Sequence, residues 1–268
     1  MGRVAAPLKL KTFNDSPYNM NSILQEGFNM LSALDHVEKD IRDIAKVYTN
    51  THRWEDVENL CQGDLVRKGF KIGIIVRQKA SEQNGLVAFL NTSEHKWYYV
   101  LSYCPYIHDI GYDGSCGLVT NAICKDDGLV NTKIIEEFAE NYRASIKNNS
   151  IYGCPADEHY FPAFDYCRDS ELNTYLPAIQ ELLLLANNRE LFQYYLQVNK
   201  DLNNVNMLEG KTCRIWSSTD AQQSYTIEDD GGKRYSNAFA VLLDSNGKTG
   251  IISTAKTEEA WCIPFCRF

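Results

Sequence analysis

The chain has 268 residues, 44% hydrophobic and 23% charged, a balance that suits a soluble globular protein. A formal net charge of −8 argues against nucleic acid or an acidic membrane as the main partner. No apolar run approaches the roughly 18 residues of a membrane helix, and nine cysteines over this length are too sparse for a disulfide scaffold.

Residues 1–20 hold two prolines and little periodicity, which predicts an extended arm with no signal-peptide core. Gly2 hints at myristoylation, but Ala6 stands where that motif wants Ser or Thr. Ser22 and Gln25 form a capping box ahead of a helix with a seven-residue repeat. Ile23, Met30, Val37 and Ile44 make one apolar row, and Leu34, Ile41 and Tyr48 belong to the row beside it. The pattern predicts a coiled-coil seam or a helix docked on its own domain; isoleucine in both rows favours three or more strands. Ile23, Met30, Leu34, Val37, Ile41 and Ile44 are therefore the candidate oligomerisation residues, and a trimer the favoured homo-oligomer. Residues 1–65 read as an arm and helix for oligomerisation or attachment, and 66–268 as the main domain.

Thr51 to Arg67 reads as a short helix with Trp54, Val57, Leu60 and Cys61 on one face. Phe70–Val76, Leu86–Leu90 and Trp97–Tyr103 read as strands from their β-branched and aromatic content. Gly111–Gly128 reads as loop, followed by a helix capped by Asn131 or Thr132. A Pro-containing link and a short helical turn through Phe164 and Cys167 come next. Leu176-Pro177 then opens a helical stretch broken near Asn187-Asn188, with Pro177 expected in the first helical turn.

Trp216 opens a strand, and a polar loop from Asp220 to Ser236 is expected after it. Asn237–Asp244 and Thr249–Thr254 flank Ser245-Asn246-Gly247-Lys248, a hairpin signal because Asn-Gly accepts the positive φ of a tight turn. The first of those strands is apolar on both faces, which predicts burial between layers.

Sites that could carry chemistry are sparse. His108 lies near Cys104, Cys116 and Cys124, but without the tight ligand pairs of a zinc site. His159 follows two acids in what reads as a solvated loop, and nothing marks a Cys–His nucleophile. Glu228-Asp229-Asp230 offers hard oxygens without calcium-loop spacing, so no metal and no cofactor are assigned. No phosphate-cradling loop or nucleophile elbow occurs, and the reading is non-enzymatic.

Five segments, in order, resemble one family. They are Asp127-Gly128-Leu129-Val130-Asn131-Thr132, Phe161-Pro162-Ala163-Phe164-Asp165-Tyr166-Cys167 and Leu176-Pro177-Ala178-Ile179-Gln180-Glu181-Leu182, then Trp216-Ser217-Ser218-Thr219 and Ile263-Pro264-Phe265-Cys266-Arg267-Phe268. They are similar to the D-G-x-x-N-T, A-A-x-x-C, LP-x-x-x-E-L, W-S-S-T/S and R-P-V-R-x-F segments of the C-type-lectin-like surface domains of bacterial adhesins, fimbrial tips and phage tail or fibre proteins. Ile263 stands in place of that family's first Arg, and Cys266 interrupts its last motif. The match spans roughly residues 85–268.

The resemblance implies an α+β, C-type-lectin-like fold with small antiparallel sheets and two or more helices. It implies Trp216, Trp261, Leu176 and Pro177 in the core. It leaves the 220–236 segment free to bind a glycan or surface protein through Gln222, Tyr225, Asp229, Asp230, Arg234, Tyr235 and Asn237. The implied setting is surface-exposed, on a virion or a cell, with no membrane insertion. The same fold serves formylglycine-generating oxidases, which implies an alternative in which Cys262 and Cys266 hold copper. A structural virion or fibre component without its own ligand is the other alternative.

Overall fold

A computed structural model describes residues 37–97, 120–148, 161–208, 212–227, 233–244, 248–256 and 258–268, with backbone alone at 141–148, 222–227 and 233–236. The chain divides into two units, residues 1–46 and 47–268. Residues 37–49 are helical (α1), with Val37 and Ile41 exposed and Ile44 half-buried. Ile23, Met30 and Leu34 lie outside the described residues.

The larger unit is α+β, and its described residues form two sheets. The first has the order β1-β2-β3-β4-β11-β6, built from Thr51–Arg53, Leu65–Lys68, Lys71–Arg77, Leu86–Phe89, Phe265–Arg267 and Thr174–Tyr175. The second has the order β5-β10-β7-β8-β9, built from Ser93–Lys96, Glu259–Cys262, Thr212–Ile227, Lys233–Asp244 and Thr249–Ala255. Neighbours are antiparallel except β1 with β2 and β10 with β7. Among the described residues four α-helices accompany them: α2 (Gly128–Asn148), α3 (Pro162–Cys167), α4 (Ile179–Ala186) and α5 (Arg189–Asn203).

The apolar runs explain the layering. In β3, Ile72, Ile74 and Val76 enter a central core with α4 and α5, while Ile75 enters an outer core with Val57 and Leu60. In β8, Val241 and Leu243 face the central core, and Ala238 and Ala240 face another around Trp97, Phe161 and Phe164. Period-two alternation between two buried faces turns a strand into a continuous hydrophobic run. Trp216 is fully buried in the Trp97 core, where truncation of so large a side chain costs about 3–5 kcal/mol. Leu176 and Pro177 are buried as expected, but Trp261 is only half-buried, edging the central core.

Several expected elements differ. Thr51 to Arg67 is not one helix but β1, a 3-10 turn at Trp54–Asn59 and β2. The i, i+3 spacing of Trp54, Val57 and Leu60 suits a three-residue turn as well as an α-helix. This stretch supplies two strands of the first sheet. β5, Ser-Glu-His-Lys, has no apolar residue and is held by antiparallel pairing with β10. The strand expected at 97–103 lies outside the described residues beyond Trp97. The hairpin flanking Asn246-Gly247 is observed as β8 and β9, with Leu243 opposite Thr249; its tip at 245–247 lies outside the described residues. Gly69, at φ +60°, makes the tight β2–β3 turn that places Phe70 fully in solvent.

Candidate recognition site

The site rests on a junction between four of the chain's motifs. Glu181, in the first turn of α4, is 2% exposed. Its Oε2 accepts from the backbone amides of Ala178 (3.0 Å) and Gly128 (2.9 Å). Its Oε1 accepts from the Tyr175 hydroxyl (2.9 Å) and Arg267 Nη2 (2.7 Å). Arg267 also makes a two-pronged pair with Asp127, both contacts at 2.8 Å. Burial works against the Arg267 charge, but bonds to Asp127 and Glu181 outweigh it and raise its pKa. Burial likewise opposes the Asp127 charge, and its hydrogen bond from Arg267 and backbone amides prevails, so its pKa falls.

The junction also fixes how the helices start. α2 begins at Gly128, with Asp127 Oδ1 accepting from the Val130 amide at 3.0 Å as the N-cap. Asn131, an expected cap, instead ties strand to loop through Cys124 N (2.9 Å), Cys124 O (2.7 Å) and Ser218 Oγ (3.0 Å). Gly128 is required by proximity, since a Cβ there would lie 2.4 Å from Leu176 O and 2.6 Å from Ala178 N. Pro177 precedes the first helical turn rather than lying in it, because Ala178 is the N-cap of α4. Thr219 Oγ1 (3.1 Å) and Lys125 O (2.8 Å) take up the amides of Ile179 and Gln180, which the helix leaves unpaired. The Asp127-Gly128, Leu-Pro, Trp-Ser-Ser-Thr and terminal Arg segments therefore meet at one place.

Beyond this junction, β7 and β8 outrun their neighbours. The β8–β9 register ends at Asn237 opposite Ala255, and β10 meets β7 at Ile215. β7 and β8 keep pairing through Ser224–Ser236, Tyr225–Tyr235, Thr226–Arg234 and Ile227–Lys233. Among the described residues these outer pairs form a two-stranded ribbon roughly 10–13 Å long at the usual rise per residue. The expected polar loop at 220–236 is thus largely paired strand; residues 228–232 lie outside the described residues. β7 shifts register twice between Trp216 and Ser224, where it leaves the sheet. Bulges of this kind bend a strand and re-aim the residues past the bend.

An isolated two-stranded ribbon is marginal in water, so its base must be held. Asp220, read from the sequence as the first loop residue, is 2% exposed. Its Oδ2 accepts from Thr120 N (2.6 Å), Thr120 Oγ1 (2.7 Å) and Lys256 Nζ (2.6 Å), and its amide donates to Ala122 O at 2.7 Å. Lys256, 1% exposed, sits 4.4 Å from the Trp97 ring centroid. Burial lowers the Lys256 pKa to about 8 even though Asp220 pulls it upward. The ribbon base is therefore an ion pair in an aromatic core.

Gln222, Tyr225, Arg234 and Tyr235 are on the ribbon strands, with Tyr225 and Tyr235 directly opposite. Asp229 and Asp230 lie outside the described residues. Asn237 is not a surface contact: it is 9% exposed at the ribbon base and donates to Ser253 Oγ at 3.0 Å. Its Oδ1 is buried and accepts no hydrogen bond among the described residues. Asp220 and Lys256 escaped sequence reasoning. A Trp-Ser-Ser-Thr run leading into a charged residue was the one available signal that the strand continues.

Cys262 and Cys266 do not converge. Cys262 ends β10 of one sheet in the Trp97 core, and Cys266 lies in β11 of the other sheet in the outer core. Cys266 Sγ accepts from Lys68 Nζ at 3.2 Å. Among the described residues no three His, Cys, Asp or Glu side chains gather as metal ligands. His108, His159, Cys104 and Cys116 lie outside the described residues. No described helix is long and apolar enough to cross a membrane.

No protein-family model matches the chain, and no curated protein matches it. Among solved structures, a fimbrial protein from Bacteroides ovatus is similar at a TM-score of 0.41 and 15% identity. The alignment covers 69% of this chain and 36% of that one, so the chain spans little more than a third of that protein's length.

Proposed function

We propose that this chain is a non-enzymatic recognition or adhesion module on a C-type-lectin-like frame, working at the surface of a virion or cell. It binds a glycan or a surface protein through the β7–β8 ribbon. The N-terminal segment, residues 1–65 with its seven-residue repeat, joins copies into a homo-oligomer, with a trimer favoured, or docks them into a larger virion or fibre assembly. The observation that carries this reading is the ribbon itself, two paired strands running past β9 from a base fixed by Asp220 and Lys256. Tyr225, Tyr235, Gln222 and Arg234 give it the residue types that rigid paratopes use, amphipathic area together with adaptable hydrogen bonding. Weak single sites gain from multivalent display, which is what an oligomerising helix supplies.

The test replaces residues 224–236 with a short Asn-Gly turn and compares it with the full chain on a glycan array and on whole cells. The reading expects binding by the full chain, at least a tenfold loss in the shortened variant, and equal unfolding midpoints. Equal binding by both proteins would move the site elsewhere. A chain that binds no glycan and no cell, yet assembles with partner proteins, would be a structural component.

A further inference from the structure

Four of the described cysteines are fully buried, and their surroundings separate them. Cys213 belongs to the central core and Cys266 to the outer one. Cys167 and Cys262 share the core around Trp97 and Phe164. Cys167 is the last residue of α3 and Cys262 the last of β10, two elements that pack directly on each other. The two side chains are fully buried in that one core, close enough for Cys262 to act on the ionisation of Cys167. Among the described residues no other two buried cysteines share a core.

We propose that Cys167 and Cys262 are a cross-linking pair, joined as a disulfide when the chain folds under oxidising conditions. This goes beyond the recognition reading and does not depend on the ribbon. The chemistry is ordinary exchange: one thiolate attacks an external disulfide, such as oxidised glutathione or an oxidoreductase of an export compartment, and displaces one thiol. The second cysteine then attacks the mixed disulfide and displaces the other. One sulfur–sulfur bond forms and one breaks. Two electrons pass to the external disulfide, and two protons leave the cysteines for the released thiols.

Burial sets the timing. Both side chains are out of reach of solvent once folded, and burial with Cys262 alongside pushes the Cys167 thiol well above its ordinary pKa. The thiolate that exchange requires is therefore scarce in the native state. The bond forms during folding, before the Trp97 core closes, and is then protected from reduction. A cross-link over so long a loop acts mainly on the unfolded chain, and the native frame needs only the proximity it already has.

The experiment refolds the full chain from guanidinium in a mixture of oxidised and reduced glutathione, and in parallel in dithiothreitol. Free thiols are trapped with N-ethylmaleimide and peptides mapped by mass. The expected result is a Cys167–Cys262 linked peptide in the oxidised sample only, and a melting temperature raised by roughly 5–15 °C. The paired change Cys167→Ala with Cys262→Ala should erase that difference; should this variant not fold, the peptide map of the unaltered chain decides alone. Both cysteines labelled in the oxidised sample, or either joined to another cysteine, would overturn the proposal. Neither outcome touches the ribbon experiment.

Discussion

Replacing Glu181 by Gln tests whether the motif junction holds the frame together. The substitution keeps the size of the side chain and removes its charge. The carboxylate serves four donors, Gly128 N and Ala178 N on one oxygen, and Tyr175 Oη and Arg267 Nη2 on the other. A carboxamide has one acceptor oxygen, so its amino group must face one of those donor pairs. If it faces the amides, two buried N–H groups lose their acceptor, at about 1–3 kcal/mol each. If it faces Arg267, the guanidinium keeps Asp127 and the Tyr175 hydroxyl but meets a fellow donor where the carboxylate stood. Breaking one side of a buried ion pair costs about 3–5 kcal/mol, and either orientation lands in that range. Urea unfolding followed by tryptophan fluorescence should therefore show a lower midpoint with an unchanged slope. A loss below about 0.5 kcal/mol, the scatter of ordinary surface changes, would refute the junction as the organising contact.

Lys256 is charged in both states below pH 8; between about 8 and its unfolded value of 10.5 the native state sheds the proton first. The unfolded chain then binds more protons, so stability rises with pH through that window, by on the order of 3 kcal/mol from this group. Urea midpoints of wild type and Lys256→Met should therefore diverge in favour of wild type from pH 7 to 9.5; a flat or shrinking gap would sink the assignment. Separately, Val37→Asp with Ile41→Asp should convert an oligomer to monomer in light scattering of the full chain, because both apolar side chains stand in solvent. A chain already monomeric before substitution would end the assembly role of α1.

Some of this architecture is written locally. Lys-Ile-Gly-Ile-Ile-Val and Leu-Val-Ala-Phe read as strands from their β-branched and aromatic content, and the break expected near Asn187-Asn188 is where Asn188 caps α5, accepting from the Leu191 amide at 3.1 Å. The five motif segments were legible one by one, but the meeting at Glu181 and Arg267 was not, since those residues lie 86 positions apart. β5 stayed hidden because a strand of Ser, Glu, His and Lys has no periodic signal and exists through its pairing with β10.

The candidate site divides in the same way. Its residue types, tyrosines among amides and charges, are a property of the chain, and so is the hairpin on its C-terminal side. That Asp220 is a buried anchor and not the first exposed residue of a loop depends on Lys256, 36 positions later, and on Thr120, 100 positions earlier. A carboxylate is read as solvated unless partners desolvate along with it. Those partners reach Asp220 only once β9, the Thr120 segment and the Trp97 core have closed around the strand. Periodicity and caps act over a few residues and are decided by the sequence alone; ion pairs and ribbon bases form between distant segments and are decided by the fold.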